Sequence, residues 1–161
     1  MRHNTILVAD HEEKNRRNLA ISLRNRGYTV LTAANPSEAI ERAVFSHPEL
    51  IVSDTQFPGG CGFEFCSKLR KTKDLQKIPF IFLSRDNSNA SRVQAIETGA
   101  TDYLIKPAYI VDILARVERL IQEYKRNKER PAHREEFQGK LDPTQLSELI
   151  LNIEEKKHCQ T

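Results

Sequence analysis

Five short apolar runs alternate with longer stretches patterned at helical spacing, and this alternation constrains the fold more than any other feature of the chain. The runs lie at 5–9, 29–33, 50–53, 80–84 and 102–105, and are rich in Ile, Val, Leu, Phe and Thr. That length and composition predict strands. Their near-continuous apolar character implies burial on both faces, as in a parallel sheet covered by helices on each side. Helices are expected from Glu13 to Arg26 closed by Gly27, from Asn35, from Gly62 to Lys71, from Ser88 to Thr98 and from Ile110 to Arg126. The opening Asn35-Pro36-Ser37-Glu38 sets an N-cap, a first-turn proline and a capping-box glutamate in order. The expected architecture is α/β: a doubly wound, flavodoxin-like sheet of five parallel strands in the order 2-1-3-4-5, followed by a helical tail.

In such a sheet, ligands gather at the carboxyl ends of strands beside the switch in strand order. Asp10 ends the first strand and Asp54 the third; if the order is 2-1-3-4-5, those strands are neighbours and the two carboxylates share one crevice. Two carboxylates so placed repel each other, and a divalent cation relieves the repulsion. Ser84 and Lys106 line the same rim. A carboxylate nucleophile, a hydroxyl donor, a fixed ammonium and a hard cation suit phosphoryl transfer to an aspartate, because charge on the transferring group must be neutralised. Taken singly, an acid at a strand end is as readily a loop cap; taken together, the four residues point to chemistry.

Four stretches carry a resemblance: Ile6-Leu7-Val8-Ala9-Asp10, Asp54-Thr55-Gln56-Phe57-Pro58-Gly59-Gly60-Cys61-Gly62, Phe82-Leu83-Ser84 and Gly99-Ala100-Thr101-Asp102-Tyr103-Leu104-Ile105-Lys106-Pro107. Through them residues 4 to about 122 resemble the receiver domain of two-component response regulators. The resemblance implies that Asp54 accepts a phosphoryl group from a sensor histidine kinase or phosphotransfer protein. It also implies magnesium held by Asp10, Asp54 and the Gln56 carbonyl, with Ser84 and Lys106 binding the phosphoryl group. A cis Lys106–Pro107 bond and a switch residue, Tyr103, belong to the same pattern. Such a domain is a cytoplasmic signalling switch, not an enzyme beyond self-catalysed aspartyl phosphorylation and dephosphorylation. Arg92, Asp102, Asp112 and Arg116 sit where related receivers dimerise through the fourth helix, fifth strand and fifth helix, with Arg92–Asp112 and Asp102–Arg116 pairs between subunits.

Two positions depart from the family. His11 stands where a second acid is usual, and imidazole is a poor ligand for magnesium, so weaker magnesium binding is expected. Arg85 follows Ser84 where the family has a small residue, and its guanidinium would crowd the donor, bind phosphate or lie in solvent. These departures leave open a degenerate receiver that acts as a phosphorylation-independent interaction module. A flavin or nucleotide enzyme of the same fold is disfavoured, because His11-Glu12-Glu13-Lys14 lacks glycine and carries two acids that repel phosphate.

Beyond Gln122 the composition turns to charge. Residues 1–122 are read as the receiver unit, 123–136 as a charged helical extension and linker, and 137–161 as the start of a second, truncated domain with one amphipathic helix. Phe137-Gln138-Gly139-Lys140-Leu141 followed by a Leu-rich helix is similar to the start of a PatA N-terminal-like (PATAN) domain. A formal net charge of +3 is too small to argue for nucleic acid, and basic residues after 122 alternate with acids, so no direct nucleic-acid binding is expected. No run approaches the ~20 apolar residues of a membrane span. Cys61, Cys66 and Cys159 show neither zinc-ligand spacing nor a disulfide framework, and reduced thiols are expected.

Overall fold

The computed structural model describes residues 4–129. Its main sheet contains β1 (Thr5–Ala9), β2 (Thr29–Ala33), β3 (Leu50–Ser53), β6 (Phe80–Ser84) and β7 (Asp102–Ile105), all parallel, in the order β2-β1-β3-β6-β7. These are the five expected strands in the expected order. The sequence reading missed a two-residue antiparallel pair between β3 and the next helix, β4 (Gln56–Phe57) with β5 (Gly60–Cys61). A hairpin this short has no periodicity to detect.

Five helices cover the sheet: α1 (Glu13–Asn25), α2 (Pro36–Ser46), α3 (Gly62–Lys71), α4 (Asn89–Glu97) and α5 (Ile110–Glu129). The two-residue period of each strand divides its side chains between two cores. Ile6 and Val8 of β1, Leu50 and Val52 of β3 and Ile81 of β6 pack under α1 and α5, against Leu19, Leu23, Ile113, Val117 and Ile121. The alternate residues Leu7, Ile51, Phe80 and Phe82 pack under α2, α3 and α4, against Ile40, Phe65, Leu69 and Ala95. Each fully buried side chain of this kind contributes roughly 1.5–3 kcal/mol, so both layers are held mainly by hydrophobic burial. Aromatic rings run through the second core, Phe65 to Phe80 at 5.3 Å, Phe80 to Phe82 at 4.8 Å and Phe82 to Tyr103 at 6.2 Å.

Local signals set the helix ends. Asn35 Oδ1 accepts the Glu38 N–H at 2.8 Å, capping α2. The Glu38 carboxylate reaches back one residue further than a capping box requires, accepting the Ala34 N–H at 3.2 Å. Gly27, at φ +92°, closes α1 in a conformation that a side chain would disfavour. Helix α5 continues through the first part of the charged stretch to Glu129. The rest of the expected linker and the amphipathic helix of 137–161 lie outside the described residues. Among the described residues no helix is long and apolar enough to cross a membrane. Cys66 is a buried free thiol whose pKa burial pushes up to about 11. The expectation of reduced thiols holds at Cys66.

Candidate functional site

Strand register builds the site. Ala9 of β1 pairs with Ser53 of β3, so the next residue of each strand, Asp10 and Asp54, emerges side by side at the carboxyl edge. Backbone bonds fix both: the Asp10 N–H donates to the Ala33 carbonyl and the Asp54 N–H to the Ala9 carbonyl, each at 3.0 Å. On the other side Ser84 pairs with Ile105, and the Lys106 N–H donates to the Ser84 carbonyl at 2.7 Å. Asp10, Asp54, Ser84 and Lys106 thus meet at one rim, as the strand order required. The Lys106–Pro107 bond is cis.

Lys106 Nζ spans the two carboxylates, 2.8 Å from Asp10 Oδ2 and 2.9 Å from Asp54 Oδ2. Both acids are buried, at 6% and 9% exposure. Burial alone would lower the Lys106 pKa, but hydrogen bonds to Asp10 and Asp54 and their negative charge outweigh it and hold the pKa above its ordinary value. The ammonium is therefore fixed as a cation. The remaining Asp54 oxygen, Oδ1, accepts the Thr55 N–H at 2.6 Å and the Gln56 N–H at 3.3 Å. Gln56 places its N–H on the acceptor, and its side chain points outward on the short β4 strand.

Thr55 is a site residue that sequence reasoning missed. Its Oγ1 lies 2.7 Å from Ser84 Oγ, and it is 1% exposed. The available signal was a hydroxyl residue directly after the acceptor aspartate. Ser84 Oγ also accepts the Asp86 N–H at 3.1 Å, and the Asp86 carbonyl in turn accepts the Tyr103 hydroxyl. Ser88 caps α4 by accepting the Ser91 N–H, and Asp86 braces that turn by taking hydrogen bonds from the Ser91 hydroxyl and the Ser88 N–H, which hold its carboxyl below the usual carboxylate range. Tyr103 is half-buried, lying between Phe82 and the guanidinium of Arg92, whose carbon is 5.6 Å from the ring centroid.

The two atypical residues take different places. Arg85 reaches across the mouth of the pocket, its Nη2 3.4 Å from a Glu12 carboxylate oxygen. Its side chain is 71% exposed, so of the three expected alternatives it lies mostly in solvent, with only a long contact to Glu12. His11 Nδ1 is 3.9 Å from Asp10 Oδ1, and its ring meets Phe57 edge-on at 6.4 Å. Asp10, His11 and Asp54 offer ligand atoms that all lie within 4.8 Å of one another, a group able to hold a metal ion. Two carboxylates suit a hard cation such as magnesium, whereas the imidazole nitrogen does not. On the far side of the α4 edge, Asp102 and Arg116 form an ion pair within the chain, and Asp112 lies in the first turn of α5. A cleft of about 980 Å3 lies at the opposite end of the strands, lined by Arg70, Lys77, Tyr124 and Lys128 among others. The convergent acids are at the carboxyl edge, so that edge is the candidate site.

A parallel sheet with paired aspartates and a lysine at its topological switch point defines an α/β domain built around an acid pocket. The sequence matches the response regulator receiver domain over residues 6–118, and the chain belongs to that family. It is 38% identical over 117 residues to the probable transcriptional regulator ycf27 of Cyanophora paradoxa, covering 73% of this chain and 48% of that protein. It is 35% identical over 117 residues to the transcriptional regulatory protein ResD of Bacillus subtilis, with the same coverage of 73% and 48%. The chain thus spans about half the length of these curated relatives. Among solved structures, the chemotaxis protein CheY4 of Vibrio cholerae superposes with a TM-score of 0.71 at 28% identity, covering 74% of this chain and 99% of that one.

Proposed function

We propose that this domain is a cytoplasmic phosphorylation switch in which Asp54 accepts a phosphoryl group from a phosphohistidine on a sensor kinase or phosphotransfer protein. The observation that carries this reading is the Lys106 ammonium held 2.8 and 2.9 Å from the paired carboxylates of adjacent strands. In the transfer an Asp54 oxygen bonds to phosphorus as the phosphorus–nitrogen bond to the donor imidazole breaks, and the departing imidazole takes its proton from solvent. A bound divalent cation, magnesium in the family's usual form, supplies charge neutralisation at the phosphoryl oxygens. Lys106 supplies a second positive charge, and the Ser84 and Thr55 hydroxyls face the same space as donors. The domain catalyses this transfer, and the hydrolysis in which water takes the phosphoryl group from Asp54 to release inorganic phosphate, on itself alone.

The output travels through Asp86. When Ser84 turns its hydroxyl to the phosphoryl group it releases the Asp86 N–H, and Asp86 is the residue whose carbonyl holds Tyr103. Tyr103 then leaves its place between Phe82 and Arg92, altering the face made by α4, β7 and α5, a two-state element biased by a local charge change. Val93 and Ile96 of α4 and Tyr109 and Val111 at the start of α5 are exposed apolar residues on this face, at 52%, 75%, 81% and 67%. The occupant we infer is a second copy of the chain, with Arg92, Asp102, Asp112 and Arg116 at its polar margin. Residues 1–122 form the switch.

Beryllofluoride, which occupies the phosphoryl position on an aspartate, tests the coupling. With a divalent cation present, NMR signals of the Tyr103 ring and of the Asp86 N–H are expected to shift together, and both shifts are expected to vanish in Asp54→Asn. Shifts confined to residues touching Asp54, with Tyr103 unmoved, would contradict the route through Asp86.

A further inference from the structure

We propose that the acid pocket is a mixed carboxylate–imidazole cation site, with Asp10, Asp54 and His11 as ligands, that prefers a later first-row transition cation such as cobalt(II) over magnesium. The proposal rests on the phosphoryl-acceptor reading of this pocket and specifies which cation serves it.

Three observations lead to it. His11 is next to Asp10 in sequence and close to it in space: Nδ1 is 3.9 Å from Asp10 Oδ1, the oxygen that Lys106 does not occupy. Second, the ligand atoms of Asp10, His11 and Asp54 all lie within 4.8 Å of one another. Donors on opposite sides of a cation with ~2.1 Å bonds are about 4.2 Å apart, so closing round an ion needs movement of only about half an ångström. The Phe57 ring, edge-on to His11 at 6.4 Å and 6% exposed itself, limits how far the imidazole can swing from this place.

Third, the carboxylate best placed to restore an all-oxygen site is engaged elsewhere. Glu12 follows His11, and its carboxylate accepts the Asn15 side-chain amide at 3.0 Å and faces Arg85 at 3.4 Å. Its backbone N–H, not its side chain, contacts Asp10, at 2.9 Å. The site among the described residues therefore has two oxygen ligands and one nitrogen ligand from side chains. Magnesium demands oxygen and gives up its water reluctantly, so imidazole adds little to its binding. Affinity for nitrogen-containing sites rises from manganese through iron, cobalt and nickel, and the same imidazole strengthens binding of those ions. Lys106 holds Oδ2 of both acids, so a cation entering on the His11 side leaves that pair of bonds in place.

The test uses the full chain and its His11→Asp and His11→Ala variants, each titrated separately with Co2+ and Mg2+. Calorimetry gives the two Kd values, and Co2+ broadening of the amide signals of Asp10, His11 and Asp54 confirms the site. The ratio of magnesium to cobalt Kd is expected to be roughly tenfold or more higher in the wild type than in His11→Asp. His11→Ala is expected to lose about tenfold in cobalt affinity with magnesium affinity little changed, a result that stands even if the aspartate variant folds poorly. A ratio within twofold across all three proteins overturns the imidazole ligand. If Asp54 still takes up a phosphoryl group from acetyl phosphate in that case, the acceptor reading survives alone. No cation bound near Asp10 and Asp54, together with no phosphoryl uptake, overturns both.

Discussion

Gly62→Ala is expected to destabilise the domain by about 3 kcal/mol or more and to lower its melting temperature by roughly 10 °C, the largest loss from a single methyl group anywhere in the loop. A Cβ at Gly62 would sit 2.0 Å from the Asp54 carbonyl oxygen and 3.1 Å from Phe82 Cε1. Neither neighbour is the free end of a flexible side chain. The carbonyl belongs to the acceptor residue and also takes the Ser53 hydroxyl at 2.8 Å, and Phe82 is wedged between Phe80 and Phe63. Relief must come from moving the β3–α3 connection, which carries Asp54. Phosphoryl uptake should therefore fall along with stability. Gly59→Ala is the control: Gly59 has φ +74° but nothing within 4 Å of its would-be Cβ, so only backbone strain of about 1 kcal/mol applies. Urea denaturation of the two variants makes the comparison. Equal midpoints would show that the Gly62 contact is relieved without cost and that the loop is softer than its packing implies.

Lys106→Met is expected to cost about 3 kcal/mol at neutral pH and to remove the response of Tyr103 to beryllofluoride. The methionine keeps the apolar stem but leaves Asp10 and Asp54, each about nine-tenths buried, facing one another without a cation. Removing one partner of a buried ion pair destabilises through the uncompensated charge that remains, more than through the lost attraction. Two further readings separate this from loss of packing. Adding a divalent cation should restore much of the variant's stability, because a cation between the carboxylates replaces the missing ammonium. The pH dependence has a definite sign: the Lys106 pKa is raised in the folded state, so its stabilisation is fully present below the ordinary value of 10.5 and is lost as pH climbs through the folded-state pKa. The gap between wild type and variant should be flat through neutral pH and close only in strong alkali. A gap that instead ignores both added cation and alkali would assign the loss to packing.

Most of the architecture was legible because each strand is a compact apolar run bounded by polar or glycine-containing turns. Ile6-Leu7-Val8-Ala9 has both faces apolar because both faces are covered, Ile6 and Val8 by α1 and α5, Leu7 and Ala9 by the other layer. The acid pair was legible for the same reason, since adjacent parallel strands in register deliver their next residues to one edge. What escaped were contacts with no sequence spacing to announce them. Arg85 meets Glu12 across 73 positions, and Thr55 meets Ser84 across 29. The β4–β5 hairpin is too short to print a period. Arg85 read as a choice between crowding, phosphate and solvent, and it lies mostly in solvent with a long contact to Glu12 on the opposite loop. Asp102 and Arg116, expected to pair between subunits, also form an ion pair within the single chain, which their sequence spacing did not announce. Sequence identifies which groups reach the edge of the sheet, while loop-to-loop pairing depends on three-dimensional approach.

Whether Asp54 carries the phosphoryl group is decided by intact-mass spectrometry of the chain incubated with acetyl phosphate and a divalent cation. One added phosphoryl group is expected, lost on mild acid or hydroxylamine treatment, as an acyl phosphate is, and mapping to the peptide containing Asp54. None is expected in Asp54→Asn. Phosphorylation that persists in that variant would place the acceptor elsewhere. Its absence from wild type under both magnesium and cobalt would contradict the switch and leave a domain that works through fixed contacts.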